Sequence, residues 1–181
     1  MARLVPLAEP FPAEAGAVLE QMKFGMPTPL ALFRTLAHNP RVLDRIRLGG
    51  LLDKGSISLR QRELMILRTC ARCGAEYEWG VHVKIFQPHT GMSDAQIAAT
   101  VHGKADDASW QDDERLILAL ADALHENARL DDALYMRLEK SFSAEQMVEL
   151  VVLAGFYHTI SFAIGAFAIE NEKDAPRFPI S

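Results

Sequence analysis

The segment Ser58–Phe86, SLRQRELMILRTCARCGAEYEWGVHVKIF, reads as two helices meeting at Gly74. Ser58 and Gln61 have the spacing of a capping box. The serine side chain can accept from the amide three residues on, while the glutamine reaches back to the serine amide. Leu64, Leu67 and Ala71 then recur at helical spacing, and Gly74 stands where a left-handed residue would close the helix. Glu76 and Glu78 fall in the first turn of the next helix, where the positive end of the helix dipole favours carboxylates. The second helix should therefore run back along the first.

The same punctuation recurs along the chain. Ser93–Gln96 and Ser143–Gln146 repeat the capping box, and Ser109–Asp112 is a looser relative. No stretch rich in Val, Ile and Thr alternates strictly, so no strand is expected and the chain reads as all-α. The pattern predicts helices over 12–24, 29–36, 40–53, 58–73, 76–87, 93–101, 110–126, 130–140 and 144–170. Pro27, Pro40, Gly74, Pro88 and Gly103 stand between them, and Thr28–Pro29 reads as an N-cap followed by the first helical residue. One domain over 1–181 is expected. Within it, 1–55 forms a helical N-terminal extension, 56–140 the motif region, and 141–181 an apolar helix with a Pro-broken tail free to dock on a neighbour.

Composition narrows the classes. Apolar residues make up 49% and charged residues 24%, ordinary for a globular protein. A net charge of −5 without any Lys/Arg run argues against a nucleic-acid surface. The N-terminus MARLVPLAEPFPAEAG has prolines where a signal peptide needs an apolar core, so a cytoplasmic location is expected. Leu150–Ile169 runs 20 residues without a charged side chain, long enough to span a bilayer. However, His158, Thr159 and Ser161 lie inside it and no basic cluster flanks it, so no membrane span is expected. A helix apolar all round in a globular protein is buried centrally or at a subunit interface.

Two constellations compete for the chemistry. Cys70 and Cys73 form a C-x-x-C pair, but at the C-terminal end of their helix, where partial negative charge opposes thiolate formation. Cys70 shares a helical face with Glu63 and Leu67, as a small core residue would. Against this stands EYEWGVH. Glu78 and His82 are four apart and project from one face, and the returning helix could bring Glu63 to His82. An imidazole held by carboxylates suits proton transfer near neutral pH, although a surface Glu-His pair with Trp79 as core anchor is the plain alternative. No H-E-x-x-H or paired-His spacing announces a metal, and no metal or cofactor is expected.

RELMILR, YEWGVH and GMSDAQI together resemble the carboxymuconolactone decarboxylase / alkylhydroperoxidase D (AhpD-like) superfamily, most clearly over Ser58–Val101. The resemblance implies an all-α fold around a helical hairpin and assembly into a homo-oligomer, a trimer or hexamer. The peroxidase branch reads Glu, eleven residues, Cys-x-His-Cys, three residues, His. Here Glu63 and His82 match its ends, while Ala75, Tyr77 and Glu78 stand where the first Cys, the inner His and the second Cys would be. Cys70 and Cys73 lie five residues too early.

The resemblance then implies a cofactor-free, decarboxylase-like enzyme acting on a small organic acid or lactone. His82 would be the acid/base, oriented by Glu63 and Glu78; Tyr77 and Trp79 would line the substrate, and Arg68 or Arg72 could hold its carboxylate. Two alternatives stay open. One is a thiol-dependent peroxidase in which Cys70 and Cys73 take over the redox role. The other is a non-catalytic oligomeric binding protein.

Overall fold

In the computed structural model, which describes residues 2–180, nine α-helices and no strand occur among the described residues. They are α1 (Ala13–Gln21), α2 (Ala31–Leu36), α3 (Pro40–Gly49), α4 (Leu59–Arg72), α5 (Glu76–Thr90), α6 (Asp94–His102), α7 (Asp112–Asn127), α8 (Asp132–Ser141) and α9 (Ala144–Phe167). The capping boxes at Ser58, Ser93 and Ser143 form with both reciprocal hydrogen bonds. Gly74 (φ 67°) closes α4 with Ala75 N–H donating to Cys70 O at 2.8 Å and Gly74 N–H to Ala71 O at 3.1 Å. That pair of bonds is a Schellman cap, and it turns the chain directly into α5.

Several boundaries differ from expectation. α7 begins at Asp112 rather than near Ser109, with the Glu114 carboxylate accepting the Gln111 amide. Thr28–Pro29 does not start α2; the helix begins at Ala31, because two orphan amides of its first turn find remote partners. Ala31 N–H donates to Glu172 Oε1 at 2.7 Å and Leu32 N–H to Tyr77 Oη at 3.1 Å. Pro88 sits inside the last turn of α5, which runs on to Gly91 (φ 68°). So close to the helix end, its missing donor forfeits one bond without breaking the helix.

α4 is the hub. Arg62 to Cys70 are buried without interruption, and the helix packs against α5, α6, α7 and α9. α9 is long and apolar enough to cross a membrane by length and composition. Here its stripe Leu150, Leu153, Ala154, Tyr157, Ile160 and Ile164 is buried against the other helices. A smaller cluster, Ala15, Leu19, Met22, Ala37 and Leu43, holds α1–α3 together, with Phe33 and Leu36 touching both cores. The tail docks on its own chain rather than remaining free for a neighbour. Glu76 accepts from Asn171, Arg177 and the Phe178 amide, Phe178 meets Trp79 edge-on, and the Pro176 carbonyl lies against Gly80, where a Cβ would collide with it.

Candidate active site

The α4–α5 turn fixes the register between the two helices, and that register sets Glu63 against His82. Glu63 Oε2 lies 2.7 Å from His82 Nδ1, and both side chains are buried. Glu63 Oε1 accepts from Arg62 Nε at 2.9 Å, and the Arg62 guanidinium lies over the Phe86 ring at 5.0 Å. On its other side His82 Nε2 is 3.0 Å from Tyr157 Oη and 3.5 Å from Glu78 Oε1. A buried carboxylate–imidazole–phenol chain therefore joins α4, α5 and α9.

Burial alone would lower the His82 pKa, but the Glu63 charge and hydrogen bond, then Glu78, outweigh it and push the pKa up to about 9. The imidazolium is therefore the resting form at neutral pH. It donates from Nδ1 to Glu63 and offers Nε2–H to Tyr157. Burial, reinforced by Glu78 and Glu63, raises the Tyr157 pKa well above that of a free phenol, so its hydroxyl keeps its proton.

These groups adjoin a cavity of about 420 Å³. Phe24, Phe33, Ile46, Leu51, Phe156 and Ile160 make it mainly apolar, while Glu78 and Tyr157 are the members of the buried cluster on its wall. His82 stands immediately behind them. Glu78 Oε2 is buried without any hydrogen-bond partner. A buried carboxylate oxygen left unpaired is costly, and at a cavity wall it suits a ligand that brings the donor. Much of the cover comes from α1, α2, α3 and the 50–53 loop, so the N-terminal extension builds the roof of the site.

The other expected residues lie elsewhere. Arg68 is wholly buried and forks onto Asp122 of α7 at 2.7 and 2.8 Å, while its Nη1 donates to Thr100 O and Gly103 O. Arg72 pairs with the same Asp122. Both guanidinium groups are engaged away from the cavity wall. Tyr77 spans Leu32 and Glu172, and Trp79 Nε1–H donates to Thr100 Oγ1 at 2.9 Å. Neither borders the cavity. Cys70 is fully buried, and burial, then Glu78, Cys73 and Glu63, push its thiol pKa well up. Cys73 is raised by burial too, and its Sγ faces His125 of α7, not His82. Arg62 and Tyr157 were not singled out by sequence reasoning. Arg62 is next to Glu63 in RELMILR, whereas Tyr157 offered only a polar tip in the middle of an apolar run.

Residues 40–123 match the model of the carboxymuconolactone decarboxylase family, a span that contains the α4–α5 hairpin. An uncharacterized peroxidase-related protein with an alkylhydroperoxidase AhpD core from Ralstonia eutropha JMP134 superposes with a TM-score of 0.82 at 15% identity, covering 96% of this chain and 93% of that one. A peroxidase-related protein from Silicibacter sp. TM1040 gives 0.79 at 18%, covering 97% and 94%. The debrominase Bmp8 in complex with 2,3,4-tribromopyrrole gives 0.74 at 17%, covering 94% and 91%. No curated protein matches the sequence. The family match over the hairpin and the shared helical fold make the chain similar to the carboxymuconolactone decarboxylase / AhpD superfamily.

Proposed function

We propose that the chain is an acid/base enzyme, needing no cofactor in its cavity, that acts on a small organic acid or lactone with an apolar body. The observation that carries this reading is the Glu63–His82–Tyr157 chain ending at an apolar cavity beside the unpaired Glu78 Oε2. With His82 protonated, Nε2–H donates to Tyr157 Oη, which leaves the phenolic hydrogen free to point into the cavity. In a decarboxylation the bond to the carboxylate breaks and its electron pair passes into the adjacent unsaturated system. A carbon of that system takes the Tyr157 proton, Tyr157 takes the Nε2 proton of His82, and CO₂ leaves. The neutral His82 then recovers a proton from solvent. General acid catalysis of this kind contributes about 10²–10⁴-fold in rate. Glu78 Oε2 would accept from a substrate hydroxyl or acid hydrogen and set its orientation.

A thiol route has less support, because both cysteines have raised pKa values and neither borders the cavity. The two routes separate experimentally. Lactone acids incubated in deuterated buffer should release CO₂ and gain deuterium at carbon with the wild-type chain, and His82→Gln should slow this about 100-fold or more. Undiminished turnover in His82→Gln would sink the acid/base reading. Peroxide consumption with dithiothreitol, lost in the Cys70→Ser/Cys73→Ser double variant, would replace it with the thiol one.

A further inference from the structure

On the side of α4 facing α7 lies a second cluster, apart from the cavity. Cys73 is the residue capping α4, His125 stands in the last turn of α7, and His158 lies midway along α9. Cys73 Sγ is 3.6 Å from His125 Nδ1, and His125 Nδ1 is 3.2 Å from His158 Nε2. One ligand atom from each residue lies within 4.8 Å of the other two. A tetrahedral zinc ion with Zn–S of about 2.3 Å and Zn–N of about 2.0–2.1 Å has S···N edges of about 3.6 Å and N···N edges of about 3.3 Å. Two of the three edges here already have those lengths.

The orientation of His158 points the same way. Its Nδ1 lies 2.9 Å from the Ala154 carbonyl, which can only accept, so Nδ1 carries the hydrogen and Nε2 presents a lone pair to the cluster. A backbone carbonyl holding the far nitrogen of an imidazole is the usual outer support of a metal ligand. Asp122 and Glu126 flank His125 with negative charge, and Arg72 stands beside them with positive charge. His125 is exposed, and Cys73 and His158 are half-buried, so a fourth coordination position faces solvent.

We propose that Cys73 Sγ, His125 Nδ1 and His158 Nε2 form a three-ligand zinc site that ties α4, α7 and α9 together. One thiolate with two imidazoles selects zinc over magnesium or calcium, which prefer oxygen ligands. Coordination releases the Cys73 thiol proton to solvent and leaves the fourth position to water. The ligands stand 52 and 33 residues apart in the chain, so no local spacing could announce them.

The test is an anaerobic titration of the full chain, freed of metal by a chelator, with Co²⁺ and then Zn²⁺. One Co²⁺ per chain should give the intense visible bands of tetrahedral cobalt and a thiolate charge-transfer band, and one equivalent of Zn²⁺ should bleach both. Cys73→Ala should abolish the charge-transfer band. Losing an outer-shell partner alone costs about 10–100-fold in metal affinity, so His125→Ala and His158→Ala should each weaken zinc at least that much. Cys70→Ala, which removes a buried thiol outside the cluster, should keep the spectrum. A wild-type chain that gives no tetrahedral cobalt spectrum overturns the proposal, and so does zinc affinity unchanged in His158→Ala.

Discussion

Tyr157→Phe removes one oxygen, the one 3.0 Å from His82 Nε2, and leaves the ring in place. Under the acid/base reading turnover should drop about 100-fold or more. Stability should fall by about 1–3 kcal/mol, the cost of leaving a buried donor unpaired. Steady-state kinetics beside a urea melt would check both, and full activity in Tyr157→Phe would remove the phenol from the proton path. His82 makes a prediction of another kind. Its pKa rises from 6.5 to about 9 in the folded chain, so the folded state holds the extra proton between those values. The stabilisation is complete below pH 6.5 and is lost as pH rises through about 9. Unfolding free energy should decline across that window by on the order of 3 kcal/mol, and His82→Gln should flatten the decline. Glu63 and His82 were legible in the sequence because a helical hairpin and the family spacing both bring them together. Tyr157 was not, because its partner lies 75 residues away and only packing decides which face of α9 turns inward.

Among the helices, one carboxylate of α7 holds two arginines near the C-terminal end of α4. Burial would raise the Asp122 pKa, but hydrogen bonds from Arg72 and Arg68 hold it below the ordinary value. Arg68 has no exposure at all, so Asp122→Ala would strand a buried guanidinium with only two carbonyl partners. The expected loss is about 3–5 kcal/mol, read as a shift in the urea midpoint with an unchanged slope. A shift under 1 kcal/mol would mean that water reaches Arg68 on relaxation. Helix starts were the most readable feature at this level, since a capping box is satisfied within four residues of chain. What Arg68 and Arg72 do was not readable, because an arginine four residues from its neighbour can serve substrate or structure equally. Their commitment is settled by Asp122, 54 and 50 residues downstream.

For the whole molecule, α9 has two apolar faces and the fold buries only one. The other runs through Val148, Val152, Gly155, Thr159, Phe162 and Ala166, spaced alternately by four and three residues and exposed along its length. Val148 is 65% exposed, Val152 52% and Phe162 68%, values that solvent-facing apolar residues seldom reach together in one stripe. Gly155 has nothing within 4 Å of an added Cβ, so another helix could approach closely there. Self-association of this chain through that stripe is the consequence we expect, in keeping with the assembly that the family resemblance implies. The buried stripe, by contrast, is needed within one chain, because it carries Tyr157 to His82. The two functions of α9 are therefore separable by substitution. Val152→Glu with Phe162→Glu should convert a multi-chain species to single chains in sedimentation equilibrium at micromolar concentration. Acid/base turnover should survive in the separated chains, since no residue on the cavity wall belongs to the outer stripe. A wild-type chain that sediments as a monomer would overturn the assembly. Turnover lost on separation would mean that a neighbouring copy helps to close the cavity, which the α1–α3 roof would then only partly cover.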